Sequence, residues 1–488
     1  MTASMSQPCP AALRDRRGRH FVVVGGGRTG AAAARLLVRE GACVTIVDDG
    51  AAEAVLAGVR KHGLNTDDVR VVAGGIDGDI LRGADVIILS PGVPRAHPAL
   101  VAVVDRVPIH NELELGLAVL TNDGQELDKI RILGITGTNG KSTTTTMAGA
   151  IARATDAHAF VGGNLGLPLC AAVADGLVVG THSAPRILVV ELSSYQLETL
   201  TWFPVDAGTI TNLTPDHLDR YASVESYYAA KARLFGLVKG GISLNARDPQ
   251  SLVRLFPALP DGVETCHFDV VGDSTGVAIV PVDGRMELQV RHGGTIRTLS
   301  LENPAIVGHH NRQNAAAAVA LAVLCGLDDP AIAAGLTAYS GIAHRLERLG
   351  IHDGVTWWND SKATNVDASV IAVHSFERGV HLILGGTGKG APYEPLVEAC
   401  RGRVVRVYLI GHDAPTIRAA FVTSGIAMSE AGTLEQACRD AAQEARPGEH
   451  IVLSPACASF DQFRDYTHRG AVFRDCFDAA SSRQGASR

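Results

Sequence analysis

The sequence predicts an α/β protein of three domains, each built on a mainly parallel sheet, and three observations carry that expectation. Short β-branched runs alternate with longer Ala/Leu-rich helical patterns, the signature of repeated βαβ units. The alternation restarts three times, at residues 21–24, 130–135 and 355–359. The chain has 488 residues and 46% hydrophobic content, enough for two to four cores of ordinary domain size.

Taken in chain order, residues 1–20 read as a basic tail carrying Arg14, Arg16, Arg17 and Arg19. The apolar run that follows is too short for a signal-peptide core, so the tail is expected to be polar and disordered. The first domain, 21–111, takes strands from 21–24, 44–47 and 86–89. Between the first two lies Gly25-Gly26-Gly27-Arg28-Thr29-Gly30, a G-x-G-x-x-G turn between strand and helix, with Asp48 ending the second strand. Glycines let a ligand approach the backbone, a helix N-terminus favours phosphate, and the acid can bind a ribose hydroxyl. This makes the domain Rossmann-like, and on the motif alone a nicotinamide cofactor is the natural guess. A second turn, Ser90-Pro91-Gly92, ends another strand of the same sheet.

The central domain, 112–341, holds the strongest signal: Gly134-Ile135-Thr136-Gly137-Thr138-Asn139-Gly140-Lys141-Ser142-Thr143 after a strand and before a helix. Backbone N–H groups of such a P-loop cradle phosphates, the lysine neutralises their charge and the serine can ligate Mg²⁺. Ile135 departs from the strict spacing, where a glycine is usual. Glu191, after the strand 187–190, is a candidate metal ligand. The polar loop 211–220 carries His217, and Lys231 lies on the next helix, 223–237. Residues 276–301 alternate around two glycine turns and read as inserted antiparallel hairpins. The C-terminal domain, 342–488, takes strands from 355–359, 381–384, 404–410 and 451–453 and is again Rossmann-like.

A net charge of −7 leaves no global nucleic-acid signature. Nine scattered cysteines without a C-x-x-C pair suit reduced thiols in the cytoplasm. No segment has the ~18 uninterrupted apolar residues of a membrane helix.

Three central motifs now carry a resemblance: Gly137-Thr-Asn-Gly-Lys-Ser142, Glu191-Leu-Ser-Ser-Tyr-Gln-Leu-Glu198 and Thr214-Pro-Asp-His-Leu-Asp-Arg-Tyr221. They resemble the ATP-dependent Mur ligases of peptidoglycan synthesis. Asn359-Asp-Ser-Lys-Ala-Thr-Asn365, Leu384-Gly-Gly-Thr-Gly-Lys389 and Leu453-Ser-Pro-Ala-Cys-Ala-Ser459 are similar to the D-glutamate-adding branch. The resemblance covers about residues 20–480.

It implies an amide ligase that joins D-glutamate to UDP-N-acetylmuramoyl-L-alanine through an acyl phosphate, with ATP and Mg²⁺, in a monomer with no membrane insertion. A branch adding L-glutamate and a folylpolyglutamate-type ligase are the alternative readings. The resemblance reassigns the N-terminal turns from nicotinamide to UDP, with Arg28, Thr29 and Asp48 on uridine, Ser90 and Gly92 near the diphosphate, and Asn164 at the muramoyl end. It puts Gly137, Thr138, Asn139, Gly140, Lys141, Ser142 and Thr143 on the ATP phosphates and Asn311 and Asn314 on adenine, with N-capping of the Ala-rich helix they begin as the simpler role for the two asparagines. Arg345, Asp360 and Lys362 reach ATP from the C-terminal domain. Ser142, Glu191, His217 and a carbamylated Lys231 are the metal positions; Lys141, His217 and Lys231 are the catalytic set. Thr364, Lys389, Ser459 and Tyr466 match positions that hold the glutamate carboxylates; helix capping near Phe460 is the simpler role for Ser459. Thr387, Phe460, Tyr466 and Arg28 depart from residues frequent in relatives.

Overall fold

The computed structural model describes residues 8–178, 186–217, 220–272 and 274–482. Its contacts gather into two compact units, Met1–Glu302 with Gln313–Ala338, and Asn303–Arg312 with Tyr339–Arg488.

The first unit holds three sheets. β1 (His20–Val24), β2 (Cys43–Asp48), β3 (Arg70–Ala73), β4 (Val86–Leu89) and β5 (Ile109–His110) form a parallel sheet ordered β3-β2-β1-β4-β5. The order reverses between β1 and β4, so a crevice opens at their carboxyl ends, where open α/β sheets take ligands. β6 (Ile130–Thr136), β7 (Phe160–Gly163), β8 (Arg186–Glu191), β9 (Val205–Ile210), β10 (Val238–Leu244) and β11 (Glu264–Thr265) form a second parallel sheet ordered β11-β10-β9-β6-β8-β7. The inner strands are almost wholly buried, which suits their unbroken Val/Ile/Leu character. β12 (His267–Phe268), β13 (Gly276–Val282), β14 (Arg285–His292) and β15 (Thr295–Ser300) make the third sheet. Its two antiparallel hairpins turn at Asp283-Gly284 and Gly293-Gly294, all four with positive φ, as a two-residue hairpin turn of matching twist requires.

One sequence expectation fails here. Residues 8–19 are not a loose polar tail: Cys9 and Leu13 are buried in the first core, and Ala11–Leu13 forms a 3₁₀ turn. The arginines read as a solvated run are held by carbonyls and acids. Arg14 donates to the Cys9 carbonyl, and Arg16 pairs with Glu40 (3.2 Å) and Asp123. Residues 1–7 lie outside the described residues.

The second unit carries β16 (Glu347–His352), β17 (Val355–Asn359), β18 (Val380–Gly385), β19 (Val404–Ile410), β20 (Ala427–Gly432) and β21 (His450–Leu453), ordered β16-β17-β21-β18-β19-β20. Only β16 is antiparallel to its neighbour. All nine cysteines are free thiols.

Candidate active site

The N-terminal turn is closed from within. Gly25 has φ +93, and the helix Arg28–Arg39 follows at once. A side chain on Gly30 would put its Cβ 1.9 Å from the Gly25 carbonyl oxygen, so only glycine fits. The Asp48 carboxylate accepts from the Gly26 N–H (2.7 Å) and the Gly50 N–H (2.8 Å), holding the turn in shape. Ser90, buried, donates its hydroxyl to the Gly25 carbonyl (2.9 Å), which ties together the turns after β1 and β4. Thr29 is half-buried, while Arg28 and Gly92 are exposed at this crevice.

The P-loop follows β6, whose neighbours β8 and β9 end beside it. Gly137 (φ +139) has no room for a side chain, because a Cβ would sit 1.9 Å from the Thr211 hydroxyl oxygen. Gly140 (φ +81) packs against the Asn314 side-chain oxygen. Thr211 donates its hydroxyl to the Asn139 carbonyl (2.6 Å), and the Asn139 N–H donates to Asn212 Oδ1 (2.9 Å), so the loop is pinned to the end of β9. Thr138 donates to the Thr214 carbonyl (3.0 Å). Ser142 and Thr143 open the helix Lys141–Thr155.

Two lysines converge on this loop. Lys141 Nζ donates to the Thr138 carbonyl (2.8 Å) and Lys231 Nζ to the Gly137 carbonyl (2.7 Å). Lys231 is 1% exposed, and burial, reinforced by the charge of Lys141, pushes its ammonium down to about 6. The amine is therefore largely neutral at pH 7, unlike an ordinary helix lysine.

Glu191 ends β8 with both oxygens buried. Asn164 Nδ2 donates to Oε1 (2.7 Å), while Oε2 has no hydrogen-bond partner. A buried carboxylate oxygen left bare is costly unless a cation meets it. Among the described residues no three His, Cys, Asp or Glu side chains form an ion cage. His217 has φ +54, uncommon for a residue other than glycine, and bonds through Nδ1 to the Tyr195 hydroxyl (2.8 Å). Leu218 and Asp219 lie outside the described residues.

In the second unit the loops after β17, β18 and β21 meet. Asp360 is fully buried; its carboxylate accepts from the Leu346 N–H (3.0 Å) and the Ser454 hydroxyl (2.7 Å), and burial pushes its carboxyl up to about 7. Arg345 lies near enough to act on its charge. Lys362 Nζ stands 5.9 Å from the Tyr466 ring centroid, and the Thr364 N–H donates to the Lys362 carbonyl. Thr387 pairs with Ala458 through two backbone hydrogen bonds, bringing the exposed Lys389 loop beside buried Ser459.

Two capping alternatives are overturned. The helix begins at Tyr466, not near Phe460; the Ser459 carbonyl instead closes a turn by accepting from Phe463 N–H (2.8 Å). Asn311 and Asn314 are interior to the helix His309–Leu324 and are not N-caps. Asn311 Nδ2 donates to the Val307 carbonyl (2.9 Å), and Asn314 Oδ1 accepts from the Thr144 hydroxyl (3.3 Å).

Sequence reasoning missed several supporting residues. Arg469, fully buried, donates to the Ser361 and Cys457 carbonyls and joins two of the C-terminal loops. A lone helix arginine carries no motif that announces this. Asn212 lies inside the polar loop after β9 and could have been singled out there. The contact of Asn164 with Glu191 had no local signal, because 27 residues separate them.

Three family profiles match in succession. They are the Mur ligase MurD-like N-terminal domain over 19–109, the Mur ligase middle domain over 135–322, and the Mur ligase glutamate ligase domain over 344–457. The chain is 41% identical over 471 residues to the UDP-N-acetylmuramoylalanine--D-glutamate ligase of Myxococcus xanthus, covering 95% of this chain and 98% of that protein. It is 42% identical over 488 residues to the protein of the same name from Anaeromyxobacter dehalogenans, with the same coverage. Among solved structures, MurF ligase from Thermotoga maritima in complex with ADP shares the fold at TM-score 0.58 and 15% identity, over 99% of this chain and 100% of that one. The UDP-N-acetylmuramate-alanine ligase MurC of the same organism does so at TM-score 0.56 and 20% identity, over 95% and 100%.

Proposed function

This chain belongs to the Mur ligase family, and from that premise we propose that it is the ATP-dependent ligase adding D-glutamate to UDP-N-acetylmuramoyl-L-alanine. The reaction serves peptidoglycan precursor synthesis, and we place it in the cytoplasm. Residues 21–111 are assigned to the UDP substrate, 112–341 to ATP and 342–488 to glutamate.

The observation that carries this reading is the convergence of Lys141 and Lys231 on the P-loop carbonyls. An oxygen of the alanyl carboxylate attacks the γ-phosphorus of ATP, ADP leaves, and an acyl phosphate forms. The amine of glutamate, having lost a proton, attacks the acyl carbon; phosphate departs from the tetrahedral intermediate and leaves an amide. Such chemistry is chiefly positioning and charge neutralisation. Lys141 swings from the Thr138 carbonyl to the β/γ oxygens, and the loop N–H groups fix the phosphate chain. Mg²⁺ supplies further neutralisation of the phosphate charge, with Ser142, Glu191 and His217 as its protein ligands. The bare Glu191 Oε2 supports that assignment. Lys231, held neutral by burial, is suited to carbamylation, in which the amine would add CO₂ and lose a proton to become an anionic carbamate.

Asn311 and Asn314 are assigned to adenine, and Arg345, Asp360 and Lys362 to ATP. Thr364, Lys389, Ser459 and Tyr466 take the two glutamate carboxylates, for which an ammonium and hydroxyl donors are suitable partners. Arg28, Thr29, Asp48, Ser90, Gly92 and Asn164 receive UDP-muramoyl-alanine. Phosphate release from ATP, measured with UDP-N-acetylmuramoyl-L-alanine and either glutamate isomer, tests the reading. Release with D-glutamate is expected; release with L-glutamate alone, or with neither, would overturn it.

A further inference from the structure

The turn after β4 and the loop after β9 come from different sheets of the first unit, and one side chain ties them together. Arg220 Nη1 donates to the Pro91 carbonyl (3.0 Å), and Nη2 pairs with the Glu198 carboxylate (3.4 Å). Its guanidinium lies over the Tyr195 ring, with Cζ 3.7 Å from the centroid. The Tyr195 hydroxyl in turn bonds to His217 Nδ1 (2.8 Å). From the side of the first sheet, Arg95 Nη1 donates to the Glu198 carbonyl (2.8 Å), gripping the same short helix, Ser194–Thr199. An unbroken series of contacts thus leads from Ser90-Pro91-Gly92 to His217.

The backbone of His217 is held on both sides, its N–H donating to Asp216 Oδ1 (2.8 Å). The Arg220 and Tyr221 N–H groups both donate to the His217 carbonyl, and the histidine sits in the left-handed region. The imidazole is oriented by the Tyr195 hydroxyl, the Asp216 carboxylate (3.5 Å from Nε2) and the Tyr227 ring, and Arg220 braces the first of these with a flat stack and a forked donor. Lysine can do neither with the same geometry. The ion pair to Glu198 is largely buried and a lysine could also make it, but the stack and the Pro91 bond together need a planar cation at this place.

We propose that Arg220 is a positioning residue that couples the Ser90-Pro91-Gly92 turn to His217, so that the UDP-linked substrate seated in that turn sets the geometry at the phosphoryl-transfer site. The inference rests on the reading of those two sites given above. It assigns Arg220 no contact with the reacting atoms, only the tie between the place where the substrate is held and the place where it reacts.

Steady-state kinetics on the full chain test it, with UDP-N-acetylmuramoyl-L-alanine, ATP and D-glutamate. No turnover by the parent chain overturns the underlying reading and this inference with it. Given turnover, Arg220→Met is expected to lower kcat on the order of ten- to a hundredfold and to raise KM for the UDP substrate, because small misplacements at a reacting centre are costly. Arg220→Lys recovers only a minor part. Tyr195→Phe keeps the ring under Arg220 but cuts the hydroxyl bond to His217, so kcat falls as in Arg220→Met while KM for the UDP substrate stays within about twofold of the parent. Tyr195→Leu matches Arg220→Met, and the double variant is no worse than either, because both break one tie. Parental kcat and KM in Arg220→Met at an unchanged melting temperature overturn the inference, as do losses that multiply in the double variant. Should Arg220→Met fail to fold, parental kinetics in Arg220→Lys overturn it equally.

Discussion

The turn at 25–30 and the P-loop at 134–142 are built alike and charged oppositely. Each follows a strand in the interior of a parallel sheet, uses glycines where a Cβ would strike backbone or side chain, and opens a helix. In the first, the Asp48 carboxylate fastens the backbone. In the second, two lysines rest on the loop carbonyls. A carboxylate beside a glycine turn can accept from ribose hydroxyls or a base N–H, whereas a lysine such as Lys141 at the start of a helix suits the phosphates themselves. The backbone motif permits close approach of a nucleotide; the side chains decide which part of it is bound and whether chemistry follows.

The largest difference between the two turns is expected at Lys141. Lys141→Ala is expected to lower ATP-dependent phosphate release by on the order of 10²- to 10³-fold while leaving UDP-substrate binding intact, the two being measured by coupled turnover and calorimetry. Gly30→Ala attacks the other turn: its Cβ meets the Gly25 carbonyl at 1.9 Å, so affinity for the UDP substrate falls by about tenfold or more while ADP binding persists. Asp48→Ala frees the Gly26 and Gly50 N–H groups, and losing such bonds costs about 1 kcal/mol, read as a severalfold rise in KM for the UDP substrate at unchanged kcat.

The smallest effect on activity is expected at Glu112, on the helix Glu112–Leu120 between the two turns in sequence. Burial pushes its carboxyl from the usual 4.5 up to about 7, although the Cys170 N–H donates to it. The folded protein keeps this proton where the unfolded chain has lost it, so stability falls as pH rises from about 4.5 to 7. Glu112→Gln removes the charge. Its melting temperature should exceed the parent's above pH 7 and converge with it below pH 4.5, with turnover little changed.

Much of this was legible in the chain. Unbroken β-branched runs marked the buried parallel strands, and the Asp283-Gly284 and Gly293-Gly294 pairs marked the hairpins, because both signals are local. Short, half-exposed β3 and two-residue β5 and β11 carry too little pattern to be read. The basic stretch before β1 misled because two buried apolar residues, Cys9 and Leu13, outweigh its arginines once carbonyls and acids satisfy them. At the site, loop residues with contiguous motifs were visible. Asn164, Arg220 and Arg469 were not visible as supports, since their partners lie up to 129 residues away and contact needs the folded sheets.

In the proposed reaction, ATP held on the P-loop activates the alanyl carboxylate before glutamate attacks. That step is tested most directly with UDP-N-acetylmuramoyl-L-alanine labelled with ¹⁸O in that carboxylate. One ¹⁸O should appear in the released phosphate, together with ADP, for each amide formed. Phosphate free of label, or AMP and pyrophosphate as products, would rule out an acyl phosphate formed from ATP.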